Sequence, residues 1–191
     1  MKVILFNGSP RKEGNTYHSL NVVKEELEAE GIDCEYIWIG NETLRGCTAC
    51  GACIENKDGR CILPDDNMNE YIQKIIEADG IILGSPTYFA DVSANMKAFI
   101  ERAGYVCRVS GDLLKRKVGA AVVSLRRGGG THVFSSINYF FLIAQMIVVG
   151  SSYWNLGFGI APGEVKKDKE GMDTFRTLGK NFVFVLKKLK S

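Results

Sequence analysis

The chain has 191 residues, which is within the size range of one domain, and we expect a single domain over residues 1–191. Its 46% hydrophobic and 24% charged residues are ordinary for a globular enzyme and exclude a disordered chain. The formal net charge of +2 is too small to indicate a nucleic-acid partner or binding to an anionic membrane.

The sequence has no pattern typical of a membrane span or a signal peptide. Its longest apolar run, residues 139–150, is shorter than the roughly 20 residues of a membrane helix and contains Gln145. The first residues, MKVILFNGSP, predict a strand and a turn without a cleavage site. We therefore expect no membrane partner and a cytoplasmic location, where the six cysteines are mostly reduced.

Strand and helix patterns alternate along the chain. The predicted strands are residues 2–6, 34–39, 80–83, 118–124 and 147–149. The predicted helices are residues 16–30, 66–78, 92–105, 134–146 and 175–189. This alternation predicts right-handed crossovers and an open, five-stranded parallel sheet covered by helices on both faces, which is a doubly wound three-layer α/β fold.

Four cysteines lie in one short segment, residues 43–64, after the second strand. Cys47, Cys50, Cys53 and Cys61 form a C-x2-C-x2-C-x7-C motif. Thiolates three residues apart in a folded loop can bind one iron–sulfur cluster, whereas structural zinc sites more often use two separate C-x2-C pairs. The motif favours a cluster over zinc, with unmetallated thiols and a disulfide as the alternatives.

Three loops follow the first, third and fourth strands, and in such sheets ligands bind outside the carboxyl ends of the strands. The first loop joins a strand to a helix N-terminus, where free amide groups attract a phosphate. Ser9, Asn15 and Thr16 offer hydrogen bonds there and Arg11 offers charge. The loop has neither a Walker A nor a G-x-G-x-x-G motif, and a tight turn capped by Asn15 is the alternative.

The second loop, residues 84–89, contains Pro86, which stiffens the chain, and Tyr88 and Phe89, which can pack along a planar ring. By themselves these two aromatic residues are also typical of a core or an interface.

The third loop, residues 124–131, combines glycines that allow close approach of the backbone with positive charge from Arg126 or Arg127. A solvated glycine-rich loop is the alternative. We expect all three loops to meet at one site.

Together, the segments NGSPRKEGNT, GSPTYFADVSANMKAFIER and RRGGG resemble the NADPH-dependent FMN reductase family of the flavodoxin-like superfamily. The cysteine motif is similar to that of the iron–sulfur flavoprotein branch of this family. The resemblance extends over residues 1–150 and implies a flavodoxin-like sheet with the strand order 2-1-3-4-5.

The resemblance also implies FMN as the cofactor and assigns residues to it. The phosphate would bind Ser9, Arg11, Asn15 and Thr16. The isoalloxazine ring would be held by Pro86, Thr87, Tyr88 and Phe89, and approached by Ser124, Arg127, Gly128 and Gly129. In the same way it implies that a [4Fe-4S] cluster would be held by Cys47, Cys50, Cys53 and Cys61.

We therefore expect an FMN-dependent oxidoreductase. NAD(P)H, or a redox protein such as ferredoxin if the cluster is present, would reduce the flavin, which passes electrons to a quinone, metal ion, nitro compound or oxygen. No catalytic residue is predicted, since the flavin carries the chemistry and His18 and His132 belong to no nucleophile–base pair. A non-enzymatic electron carrier between redox proteins is the alternative; a phosphate-regulated signalling domain is disfavoured because no acidic cluster follows the first strand.

We also expect a homodimer or homotetramer with the flavin close to a subunit boundary. Tyr88, Phe89, Tyr153 and Trp154 lie near the predicted flavin site and would be poorly covered by one small domain.

Overall fold

Strands and helices alternate along the chain in the computed structural model, which describes residues 1–64 and 66–190. The strands are β1 Lys2–Asn7, β2 Asp33–Trp38, β3 Gly80–Pro86, β4 Val118–Leu125, β5 Ile147–Val148 and β6 Leu156–Phe158. The helices are α1 Asn15–Ala29, α2 Ala52–Asn56, α3 Met68–Glu77, α4 Ala94–Val109, α5 Gly130–Ile143 and α6 Lys169–Lys190, with a 3₁₀ turn at Glu164–Lys167. Asp65 and Ser191, which belong to the predicted domain, lie outside the described residues.

The sheet is parallel, with the order β2-β1-β3-β4-β5, as predicted. A sixth strand corrects the predicted count of five. β5 pairs with the start of β4, at Val118 and Gly119, and β6 pairs with its end, from Val123 to Leu125. Because β3 pairs with the other side of β4, β5 and β6 share one edge position. Val149 and Asn155 bond to β4, and residues 150–154 bulge out between them.

The side chain of Asn155 fills the gap that this bulge leaves in the sheet. Asn155 is buried, and its side-chain Nδ2 donates to the Ala121 carbonyl oxygen at 2.9 Å. The backbone carbonyl oxygen of Asn155 accepts from the Val123 N–H at 3.0 Å. The Ser151 hydroxyl donates to Asn155 Oδ1 at 2.5 Å. An amide side chain thus replaces a missing bond of the ladder.

Two hydrophobic layers cover the sheet. Along β1, Ile4 and Phe6 pack into the layer formed with α3, α4 and α5, and Val3 and Leu5 pack into the layer formed with α1 and α6. Side chains alternate between the faces of a strand, so an uninterrupted apolar strand must be buried on both faces. This packing confirms the three-layer arrangement.

Four helices differ from the prediction, and among them α4 ends at Val109 rather than residue 105. Helix α5 begins at Gly130 rather than residue 134, and α6 begins at Lys169 rather than residue 175. Asp168 caps the start of α6, where its Oδ1 accepts from the Gly171 N–H at 3.1 Å, and such a cap compensates for the glycine in the first turn. The short α2 lies within the cysteine segment and was not predicted. None of the described helices combines the length and apolar character of a membrane span.

Candidate functional site

A cavity of about 200 Å³ opens at the carboxyl ends of β1, β3 and β4, and we call it the strand-end cavity. It brings together eight of the predicted flavin-site residues: Ser9, Arg11, Asn15, Thr16, Pro86, Thr87, Tyr88 and Ser124. The remaining lining comes from Leu125, Arg126, Gly159 and Ile160. The three loops therefore meet at one place.

The first loop is held in shape by side chains from β1 and β2. Buried Asn7 accepts the Ser9 N–H on its Oδ1 at 2.9 Å and donates from Nδ2 to the Tyr36 hydroxyl at 2.7 Å. The Trp38 indole N–H donates to the Ser9 carbonyl oxygen at 2.7 Å. The loop that begins the cavity is thus fixed before any ligand is bound.

This cavity contains two buried hydroxyl groups. Among the described residues, neither Thr16 Oγ1 nor Thr87 Oγ1 has a hydrogen-bond partner. Buried polar groups in folded proteins are nearly always satisfied, so the pair points to a polar ligand. Thr16 lies in the first turn of α1, where free amide groups and the helix dipole also favour an anion. The site therefore fits the phosphate and polar edge of a flavin nucleotide.

A segment outside the sequence motifs closes the cavity. Asn15 Oδ1 accepts from the Val165 N–H at 3.2 Å, and Arg11 donates from Nη1 to the Ile160 carbonyl oxygen at 3.5 Å. A Cβ at Gly159 would lie 2.6 Å from Val165 N, so the close approach requires glycine. Sequence reasoning missed Gly159 and Ile160, and the glycine-rich stretch 157–163 was the signal that could have found them.

The other four predicted flavin-site residues lie elsewhere. Arg127, Gly128 and Gly129 line a second cavity of about 300 Å³ with Tyr153, Trp154 and the start of α6, and Leu125 borders both cavities. Phe89 lines neither cavity; it stands fully exposed, at 107% relative exposure and a φ of 48°. Backbone hydrogen bonds between Tyr88 and Asp91 place Phe89 at the tip of a tight turn.

The four cysteines of the motif line one small cavity on another part of the surface, which we call the cysteine cavity. All four are free thiols; Cys47 and Cys50 are exposed, and Cys53 and Cys61 are half-buried. Burial is the main cause that raises the pKa of the Cys53 thiol. Among the described residues, no carboxylate or imidazole lines the cavity, so the sulfur donor set fits iron–sulfur chemistry.

The thiols do not form a ready-made metal site. Within the described residues, no group of three or more histidine, cysteine, aspartate or glutamate side chains is arranged to hold a metal ion. The left-handed backbone at Ala49 and Gly51, with φ values of 54° and 80°, turns the chain between the cysteines. The loop thus brings the sulfurs to one cavity without converging them on one point.

Arg102 of α4 forms the inner wall of the cysteine cavity, and its side chain is fully buried. Its guanidinium forms a bidentate ion pair with Asp66. Burial lowers the pKa of Arg102, but hydrogen bonds to Asp66 and Cys61 outweigh it, so the pKa is raised and the group stays charged. Sequence reasoning missed this residue, although a charge between Phe99 and Val106 on a buried helix stripe was a usable signal.

Fold and cavity together define a parallel α/β protein of the flavodoxin-like class, with its site at the carboxyl edge of the sheet. The model of the NADPH-dependent FMN reductase family matches residues 1–161, and the chain belongs to this family. The resemblance inferred from the sequence motifs is thereby confirmed.

Two relatives and one solved structure illustrate the similarity. The chain is 42% identical over 197 residues to the iron-sulfur flavoprotein MJ1083 of Methanocaldococcus jannaschii, covering 100% of both chains. It is 35% identical over 188 residues to an iron-sulfur flavoprotein of Methanosarcina thermophila, covering 97% of this chain and 95% of the relative. The structure of a flavodoxin, WrbA-like protein from Agrobacterium tumefaciens superimposes with a TM-score of 0.67 at 16% identity, covering 98% and 97% of the two chains.

Proposed function

We propose that this chain is an FMN-dependent oxidoreductase that takes electrons from NAD(P)H or a protein such as ferredoxin and passes them to a small-molecule or protein acceptor. The observation that carries the proposal is a pair of hydroxyls in the strand-end cavity, on Thr16 and Thr87, that have no hydrogen-bond partner among the described residues. Membership of the NADPH-dependent FMN reductase family supports the cofactor and the reaction class.

In this proposal the chain binds and orients the cofactor. Ser9, Thr16 and the free amide groups at the start of α1 hold the phosphate, and Arg11 supplies positive charge at the open side of the cavity. Asn15 is already used to fix the covering segment through Val165, so its Nδ2 is the group left for the phosphate.

The loops after β3 and β4 receive the ring. Pro86, Thr87 and Tyr88 line one side, and Ser124 and the backbone beyond it line the other. Bound FMN supplies hydride and single-electron chemistry, which is why no acid–base pair from the chain is required. Arg127, Gly128 and Gly129 would approach the ring from beyond Leu125, in the second cavity.

We further propose that Cys47, Cys50, Cys53 and Cys61 hold a [4Fe-4S] cluster. The four thiols that line the cysteine cavity support this, and the names of the relatives agree with it. The four thiols would supply its ligands, and the cluster would supply single-electron chemistry. The protein would act as a single-domain subunit of a homodimer or homotetramer in the cytoplasm.

Titration of the apoprotein with FMN and with riboflavin tests the flavin site. The wild type should prefer FMN, and Arg11→Ala should weaken FMN binding by about 1.5–3 kcal/mol, the usual contribution of a hydrogen bond to a charged group. Arg176→Ala, on an exposed arginine of α6 paired with Asp173, is the control. Equal affinity for FMN and riboflavin would contradict the proposal.

Turnover separates the enzyme from the electron carrier. With FMN bound, oxidation of NAD(P)H in the presence of a quinone or ferric chelate is expected. FMN-loaded protein that exchanges electrons only with another redox protein would instead identify a carrier.

Iron analysis of anaerobically prepared protein tests the cluster. About four irons per chain are expected, as four thiolates bind a [4Fe-4S] cluster. Cys50→Ser should remove the iron and leave FMN binding intact, since the strand-end cavity contains no cysteine. Cys34→Ser, at a cysteine outside the motif, should keep both. Iron-free wild-type protein with normal NAD(P)H turnover would show that the cysteines are structural.

A further inference from the structure

Every hydrogen-bond donor of the Arg102 guanidinium is directed to the cysteine segment, residues 43–64, or to Asp66 just after it. Nη1 and Nη2 donate to the two carboxylate oxygens of Asp66. Nη1 also donates to the Arg45 carbonyl oxygen at 3.2 Å, and Nη2 to the Leu63 carbonyl oxygen at 3.5 Å. The fifth donor, Nε, points to Cys61 Sγ at 3.4 Å. An arginine has five N–H donors, and all five are used here.

These contacts fix the segment on both sides of the cysteines. Arg45 precedes the first cysteine of the motif, and Leu63 and Asp66 follow the last one. The ends of the segment are therefore tied to one point on α4, while the four cysteines between them stay exposed or half-buried. A lysine has three donors and no planar fork, so it could not hold these partners together.

The burial of Arg102 calls for a reason beyond stability. Its side chain is fully buried on a helix face that otherwise carries Phe99, Ala103 and Val106. A buried ion pair contributes little net stability, because the loss of hydration of the charges offsets their attraction. Replacement of a buried ion pair by well-packed apolar residues of similar volume is often neutral or stabilising. The contacts that apolar residues could not provide are the N–H bonds to the Arg45 and Leu63 carbonyl oxygens and to Cys61 sulfur.

We propose that Arg102 is the positioning residue of the cysteine site: it holds both ends of the cysteine segment and donates a charged N–H hydrogen bond to Cys61 sulfur. The proposal rests on the iron–sulfur cluster proposed above. Hydrogen bonds and positive charge beside cluster sulfurs stabilise the reduced state, which carries more negative charge. Arg102 therefore makes the centre a better electron acceptor and keeps Cys61 placed for the cluster.

The test compares Arg102→Lys with Arg108→Lys, since Arg108 lies on the same helix and is exposed. FMN content reports whether each variant folds. Redox titration of the iron-loaded proteins should show a more negative midpoint potential for Arg102→Lys and an unchanged one for Arg108→Lys. Iron loss from Arg102→Lys at normal FMN content would equally support positioning. A wild-type potential and iron content in Arg102→Lys would overturn the proposal.

Amide hydrogen exchange of the metal-free proteins separates this proposal from the cluster itself. Residues 45–47 and 61–64 should exchange faster in Arg102→Lys and at the wild-type rate in Arg108→Lys. If the wild type takes up no iron, the cluster proposal fails, and exchange alone decides the role of Arg102. Unchanged exchange would then overturn it.

A second variant covers the case in which Arg102→Lys does not bind FMN and is misfolded. Asp66→Asn keeps the guanidinium and its contact with Cys61 but removes the carboxylate that anchors it. Faster exchange at residues 45–47 and 61–64 is expected in this variant. Wild-type exchange there would contradict an anchoring role for the ion pair and overturn the proposal.

Discussion

The Nδ2 of Asn155 and the carbonyl oxygen of Ala121 are 2.9 Å apart and form a hydrogen bond in the gap between β5 and β6. Asn155→Ala would leave this buried carbonyl unpaired and should lower the free energy of unfolding by about 1–3 kcal/mol. Urea unfolding of the apoprotein measures the change. Asn181→Ala, which removes an exposed side-chain bond to Gly150, should stay within about 0.5 kcal/mol of wild type. Equal effects of the two variants would show that the Asn155 bond does not support the sheet.

Thr16→Val and Thr87→Val should separate binding from stability. Each replaces a buried hydroxyl, unpartnered among the described residues, by a methyl of similar shape, so the apoprotein should be no less stable. FMN affinity should fall by about 1 kcal/mol, or roughly fivefold, for each variant. Fluorescence titration and thermal melts check the two effects. Thr177→Val, whose hydroxyl donates to the Asp173 carbonyl, is the control. Unchanged FMN affinity in both variants would contradict the flavin site.

Phe89 should contribute to subunit association. A fully exposed phenylalanine in the left-handed region combines backbone strain with apolar exposure, and contact with another subunit would explain both. Sedimentation should show a dimer or tetramer with FMN bound, and Phe89→Ser should weaken association by about 1.5–3 kcal/mol, the usual effect of burying this side chain. Phe184→Ser, at an exposed phenylalanine of α6, is the matched control. A wild type that is monomeric at micromolar concentration would refute this prediction.

Asp79 should give the fold an acid-sensitive contribution. Burial raises the pKa of Asp79, but hydrogen bonds from Lys190 Nζ and the Lys2 N–H outweigh it, so the pKa lies below its usual value of 3.8. Because the pKa is lower in the folded state, the ionised carboxylate stabilises the fold at pH values above the unfolded-state pKa. This stabilisation is lost as the pH falls through 3.8 and below. Free energies of unfolding measured from pH 7 to pH 3 should therefore fall less steeply for Asp79→Asn. Parallel curves for the variant and the wild type would exclude this contribution.

The fold was largely predictable because its strands are buried on both faces. Uninterrupted apolar runs such as residues 2–6 identify parallel strands directly, and the alternation with helices then limits the topology. The split edge strand was not predictable, since β5 and β6 have only two and three residues and carry no periodic pattern. The sequence around Asn155, which lies between them, does not indicate that its side chain bonds to β4.

The candidate site was predictable where backbone amide groups at a helix N-terminus form the binding site. Ser9 and Thr16 follow from a strand that leads into a helix N-terminus. Arg126 and Arg127 could not be distinguished from the sequence. They are adjacent in a glycine-rich loop, and the backbone conformation of that loop decides that Arg126 lines the strand-end cavity and Arg127 the second cavity. Arg102 was missed because its partners are 36–57 residues distant in sequence, and only the packing of α4 brings them together.

The division of the edge strand has a consequence for behaviour at high concentration. A long exposed edge offers a row of unpaired amide and carbonyl groups on which a strand of another molecule can form. On the β4 side of this sheet the outermost strands are two and three residues long, and the bulge of residues 150–154 separates them. Too few groups lie in line there to template an added strand, so this margin resists growth of the sheet from one molecule into the next.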